Sequence, residues 1–190
     1  DEHLANFDDG HFSERGAIIV LPKLMQVFAD PTKLMQGLQR TREYLHSNGI
    51  TVIGNPGSMH NQNLQTAKNL IFGGIDSPFE SYFFPSALNL TEQFELNEIL
   101  DAAKAQTSWG AGKLNYLSQH IKLFADGAMY SQNMVMRDGY LDNHQGSWLM
   151  NLDTFENLFK IFWDDGYQIH IHQNGDAGLD RLLATLEKNL

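Results

Sequence analysis

From about residue 32 onward, helix-like stretches alternate with short apolar ones, and the pair recurs four times. Stretches 32–47, 60–72, 91–106 and 153–164 carry apolar residues at helical spacing, as in Leu34, Leu38 and Leu45, or Leu152, Phe155, Leu158, Phe159 and Phe162. Asp30-Pro31, Thr91 with Glu92, and Asp153 supply helix-start chemistry. Between the helices lie brief runs rich in β-branched or aromatic residues. Ile50–Gly54 follows the helix stop Asn48-Gly49, Tyr82–Leu88 follows a Gly-Gly pair and a Pro, and His120–Asp126 and Tyr167–Gln173 complete the set. This alternation predicts an α/β fold built from about four βα units on a parallel sheet. A last helix is expected to begin near Asp176 and run through Leu179, Leu182, Leu183 and Leu186.

Two segments stand outside the period. Ala17–Phe28 fits either a buried strand followed by a turn or a helix interrupted at Pro22, so residues 1–30 are set apart as an irregular N-terminal lid or flanking segment. Residues 129–151 sustain no period, which in a βα protein marks a loop over the functional face. The whole of 1–190 is otherwise read as a single segment.

Composition narrows the chemistry. The chain has no cysteine, so any metal must be held by His, Asp, Glu or a modified Lys. A formal charge of −10 disfavours nucleic acid and acidic membrane surfaces and favours a small neutral or cationic substrate. The longest apolar run, Ala17–Leu21, is too short to span a bilayer, and the charged start at Asp1 is unlike a signal peptide, so a cytoplasmic location is the expectation.

The strongest local feature is YQIHIHQNGDAGLD, residues 167–180. Residues at i and i+2 point to one face of a strand, so His170 and His172 project together near the strand's C-terminal end, where parallel βα folds place ligands. Asp176 either caps the following helix or takes part in the chemistry. In HIKLFADG, Lys122, Phe124 and Asp126 share a strand face; a lysine there pairs with Asp126, snorkels to solvent, or is carbamylated into a metal ligand. Tyr130, Arg137, Tyr140 and His144 lie in the 129–151 loop, the first three as candidate substrate contacts. His3, His11, His46 and His60 have no motif around them and are expected to be solvated. Phosphate-loop, dinucleotide and nucleophile-elbow patterns are absent.

Taken together, GITVIGNPG, IKLFADGAMYS and HIHQNGDAGLD, in this order, resemble the amidohydrolase superfamily, in the YtcJ-like branch called amidohydrolase family 3, from about Ile50 to the C-terminus. The resemblance implies a partial (β/α)8 TIM barrel, roughly strands two to five. It matches Lys122 to a bridging, carbamylated lysine and His172 to a metal-binding histidine, with Asp126, Gly127, Gly175 and Asp176 at accompanying motif positions. Asp126 and Asp176 are thus the candidate catalytic carboxylates, while His170 as a ligand rests only on its spacing. The implied parent is a hydrolase of amide or other C–N bonds that uses a water activated by one or two divalent ions, with zinc expected. The family's early H-x-H strand, later His strand and late Asp find no match here, so this chain is expected to be inactive alone. Four barrel strands leave open edges, which predicts a homo-oligomer. The rival readings are a non-catalytic binding or regulatory module on the same barrel, and a flavodoxin-like domain binding an anion at Gly175 to Ala177.

Overall fold

The computed structural model describes residues 5–190, apart from the side chains of Glu14, Arg15, Ile18, Val27 and Phe28; His3 lies outside the described residues. The chain opens with an antiparallel hairpin of β1 (Ala5–Asn6) and β2 (His11–Phe12). A 3-10 segment, Glu14–Ile19, leads into α1 (Leu21–Phe28). Of the two descriptions open for this region the helical one holds, with a difference. Pro22 sits in the first turn of α1, where its missing N–H has no helical acceptor to lose, so it starts the helix instead of interrupting it.

Helix α2 (Pro31–Ser47) begins where Asp30 accepts hydrogen bonds from the Thr32 and Lys33 amides, as its Asp-Pro start predicts. Then follow β3 (Val52–Ser58), α3 (Gln62–Phe72), β4 (Glu80–Pro85), α4 (Ala87–Leu90), α5 (Ile99–Gln106), β5 (Leu114–Tyr116), β6 (His120–Phe124), α6 (Leu152–Asp164), β7 (Gln168–His172) and α7 (Asp176–Glu187). The helix expected over 91–106 forms only in its last part, as α5, and the strand expected over 82–88 stops at Pro85, its last residues opening the short helix α4. Ser86 caps α4, Thr91 closes it, and turns carry the chain to α5. Asn151, not Asp153, caps α6, its side chain accepting from the Thr154 amide.

Strands β3, β4 and β5 pair in parallel, as do β6 and β7. A parallel bridge between Ser86 and Lys122 joins the two groups. Residues 117–119 break one strand position into β5 and β6, with Gln119 in the left-handed region. The order is therefore β3, β4, β5 with β6, then β7: a parallel arc with helices on its outer side, the partial barrel of the expected fold class.

The helix-facing side of the arc is the core. Ile121, Leu123 and Ala125 are fully buried against Ala87, Leu90, Ile99, Ala103, Phe155, Leu158 and Phe162, and Ile169 and Ile171 of β7 pack on the same cluster. Phe72, Phe79, Phe83 and Leu114 form a second cluster, joined by Leu38, Leu45 and Ile53. Strand alternation sends the neighbours of these residues to the concave side, where His120, Lys122, Phe124, His170 and His172 are only partly covered. No helix among the described residues is long and apolar enough to cross a membrane.

Candidate metal centre

Lys122 faces His170 across the β6–β7 pairing, and Phe124 faces His172, so the lysine and both histidines share the concave face. The lysine is wedged beside the turn that ends β3. A bulge between Pro56 and Ser58 brings Gly57, with φ +105, to where a Cβ would stand 3.3 Å from Lys122 Cγ. A side chain there meets both a disfavoured backbone conformation and the lysine stem. The ammonium lies 5.2 Å from the centre of the Phe124 ring, and burial lowers its pKa. Among the described residues no carboxylate forms an ion pair with it, and Asp126 is engaged elsewhere.

Each histidine has a partner. His170 Nε2 lies 2.9 Å from His120 Nδ1, and its ring stacks on Phe84 at 4.4 Å. Burial, then the charges of His120 and Lys122, hold its pKa below the usual imidazole value. His172 Nε2 accepts a hydrogen bond from Asn174 Nδ2 at 2.9 Å, and the same amide group donates to the Gly127 carbonyl. His120 and Asn174 were assigned no role from the sequence. The signal for His120 is its i, i+2 relation to Lys122; nothing local announces Asn174.

Asp126 is fully buried at the end of β6. Its carboxylate accepts hydrogen bonds from the amides of Val135, Asn174 and Gly175, at 2.9, 2.9 and 2.7 Å. It thereby ties the 129–151 loop and the β7–α7 turn to the strand. Gly175 is required at that turn, because a Cβ would stand within 1.9 Å of the Val135 carbonyl oxygen. Asp176 heads α7 and accepts from the Arg137 amide, while the Arg137 guanidinium grips Asp180 through two bonds of 2.5 and 2.6 Å. Tyr140 stacks face to face on His144 at 4.1 Å. Tyr130 is 90% exposed and borders a groove of about 360 Å³ between the N-terminal hairpin and the loop. The structure thus brings Lys122, His170 and His172 together, with Asp126 behind them. Arg137 is latched to the Asp176 helix, and Tyr130 sits by the hairpin groove. Met134, Met136, Asp138, Asn174 and Asp176 border a second cavity of about 350 Å³ beside the β7–α7 turn.

These donors fit a metal only in part. A hydrolytic zinc site takes three protein ligands and an open position for water. Among the described residues no group of three His, Cys, Asp or Glu side chains is placed to hold an ion, although lysine adds a donor if carbamylated.

Comparison with known proteins bears on the fold and the family. Two crystal structures described as uncharacterized metal-dependent hydrolases share the fold. The one from Pyrococcus horikoshii OT3 has 16% identity and a TM-score of 0.61 over 97% of this chain, and the one from Pyrococcus furiosus 18% and 0.61 over 95%. This chain covers 36% of each, about a third of their length. None of the curated proteins matches it. The sequence profile described as "Amidohydrolase family" matches residues 13–189, nearly the full length, and the chain belongs to that family.

Proposed function

We propose that this chain supplies one part of the active site of a hydrolase that cleaves amide or related C–N bonds. Its contribution is two metal ligands, Lys122 as a carbamate and His172, with His170 as a third donor on the same face. The observation that carries this reading is the pairing of β6 with β7, which sets Lys122 opposite His170 and two residue pairs before His172 on the open side of a parallel arc. Lys122, His172 and His170 would hold a divalent ion, with zinc the expected choice, and such an ion would supply a bound water of lowered pKa. The YtcJ-like branch is favoured by the local spelling of IKLFADGAMYS and HIHQNGDAGLD.

In this reading Asp126 positions the site. Its bonds to the Asn174 and Gly175 amides fix the turn from which the Asn174 side chain reaches His172. Asp176 and Arg137 fasten the loop to α7. Tyr130 and Tyr140 remain the candidate substrate contacts. The 190-residue chain alone is expected to show no chelator-sensitive amide hydrolysis, because it offers too few ligands. Within a protein that holds this segment in a complete barrel, Lys122→Ala and His172→Ala each abolish such hydrolysis. Turnover by the isolated chain that a chelator and His172→Ala both eliminate refutes the ligand count. Full activity of both variants in the complete barrel refutes the site.

A further inference from the structure

His120 is absent from the family motif and from the hydrolase reading, yet its ring contacts both His170 and Phe84 on the concave face. It begins β6, two residues before Lys122, and its Nδ1 comes within 2.9 Å of His170 Nε2 on the adjacent strand. The rings are nearly parallel, with centres 5.1 Å apart, and Phe84 stacks on His170 from β4. We infer that His120 and His170 form a two-imidazole site for a late first-row divalent cation, set toward the start of the strands from His172.

The geometry requires little movement. Two nitrogens bound to one tetrahedral zinc at about 2.05 Å stand about 3.3 Å apart, so the pair opens by about 0.4 Å to admit the ion. In the metal-free pair one nitrogen carries the proton and the other accepts it. On binding, the donor ring moves its proton to its other nitrogen, both lone pairs face the ion, and no net proton is released. Imidazole suits zinc, nickel and copper, whereas magnesium and calcium prefer oxygen donors. The remaining positions are filled by water, and the positive charge of Lys122 keeps the affinity moderate.

His170 is common to this site and the proposed hydrolytic one; His120 and His172 separate them. The test is a Zn²⁺ titration of the 190-residue chain, followed by calorimetry and by ¹⁵N NMR of the imidazole nitrogens. Binding is expected to shift His120 Nδ1 and His170 Nε2 together. His120→Ala and His170→Ala are each expected to weaken binding by about tenfold or more, the double variant little further, and His172→Ala by less than about twofold. His120→Gln, which keeps a polar side chain of similar reach, serves if the alanine variant does not fold. No Zn²⁺-dependent shift at His120, or a loss from His172→Ala as large as that from His120→Ala, overturns the inference. The second result leaves the hydrolase reading standing.

Discussion

Asp126 carries the densest polar contact at the site and illustrates what a single carboxylate can organise. Three amides from two separate segments converge on it inside a fully buried environment. Asp126→Ala leaves those donors unpaired, and each buried donor without a partner costs about 1–3 kcal/mol. The expected loss is about 3 kcal/mol or more in urea denaturation, with Asp126→Asn intermediate because its amide keeps one acceptor and presents N–H groups to the others. The motif marked Asp126 and His172 in the sequence. It could not show that Asp126 faces amides rather than Lys122, because Val135 and Gly175 reach it only through the fold.

The His144–Asp142 pair makes a pH-dependent prediction. The Gln132 carbonyl accepts from His144 Nε2 and raises the pKa of the ring, with the Asp142 carboxylate, 2.5 Å from Nδ1, adding to the rise. The ring in turn lowers the pKa of Asp142. The histidine's contribution is fully present below its unfolded value of 6.5 and is lost as pH rises through the raised folded value. The aspartate's is present above 3.8 and is lost as pH falls through the lowered one. The pair therefore stabilises most between those two values. Denaturation midpoints of the wild type and His144→Gln should differ most in that window and converge at alkaline pH; a constant offset at all pH values counts against the ion pair.

Among the elements, α6 shows most directly how hydrophobic spacing becomes packing. Phe155, Leu158, Phe159 and Phe162 all lie in the core, while Leu152, on the same stripe but in the first turn, and Trp163, off it, are exposed. Phe155→Ala should cost about 3–5 kcal/mol in thermal or chemical unfolding. Tyr44→Ala, on a helix without a buried residue, should cost under about 0.5 kcal/mol. Equal losses from the two would mean that the assigned core is misplaced. The helices that were legible in advance are those with a long stripe of this kind. Strand β5 was missed because Leu114–Tyr116 is too short to display a period, and α4 was missed because Ala87–Leu90 is a single turn at the end of an apolar run that reads as strand. Ile53 packs with Leu38 and Leu45 against the second core cluster, since strand alternation turns Val52 and Gly54 to the other side.

At the scale of the molecule, β3 and β7 are open edges and the concave face of the arc is partly exposed, with Val52 at 60%. Unpaired strand edges recruit further strands, and closing a barrel removes them. We propose that two copies associate through these edges or this face, giving a homodimer or larger closed oligomer. Light scattering at micromolar concentration should report more than a monomer, and Val52→Lys should shift the equilibrium toward one. A wild type that stays monomeric would refute this.

What the sequence determined by itself was the alternation of helix and strand, the sidedness of each long element, and the family motifs around Lys122 and His172. These depend on short-range periodicity and on residues adjacent in the chain. Only the tertiary structure decided that His120 meets His170, that Asp126 is held by backbone amides, and that Arg137 belongs to α7. Apart from the Val135 amide on Asp126, those contacts join residues 39 to 50 positions apart. Strand register and loop path bring them together, and no local pattern of residues encodes either.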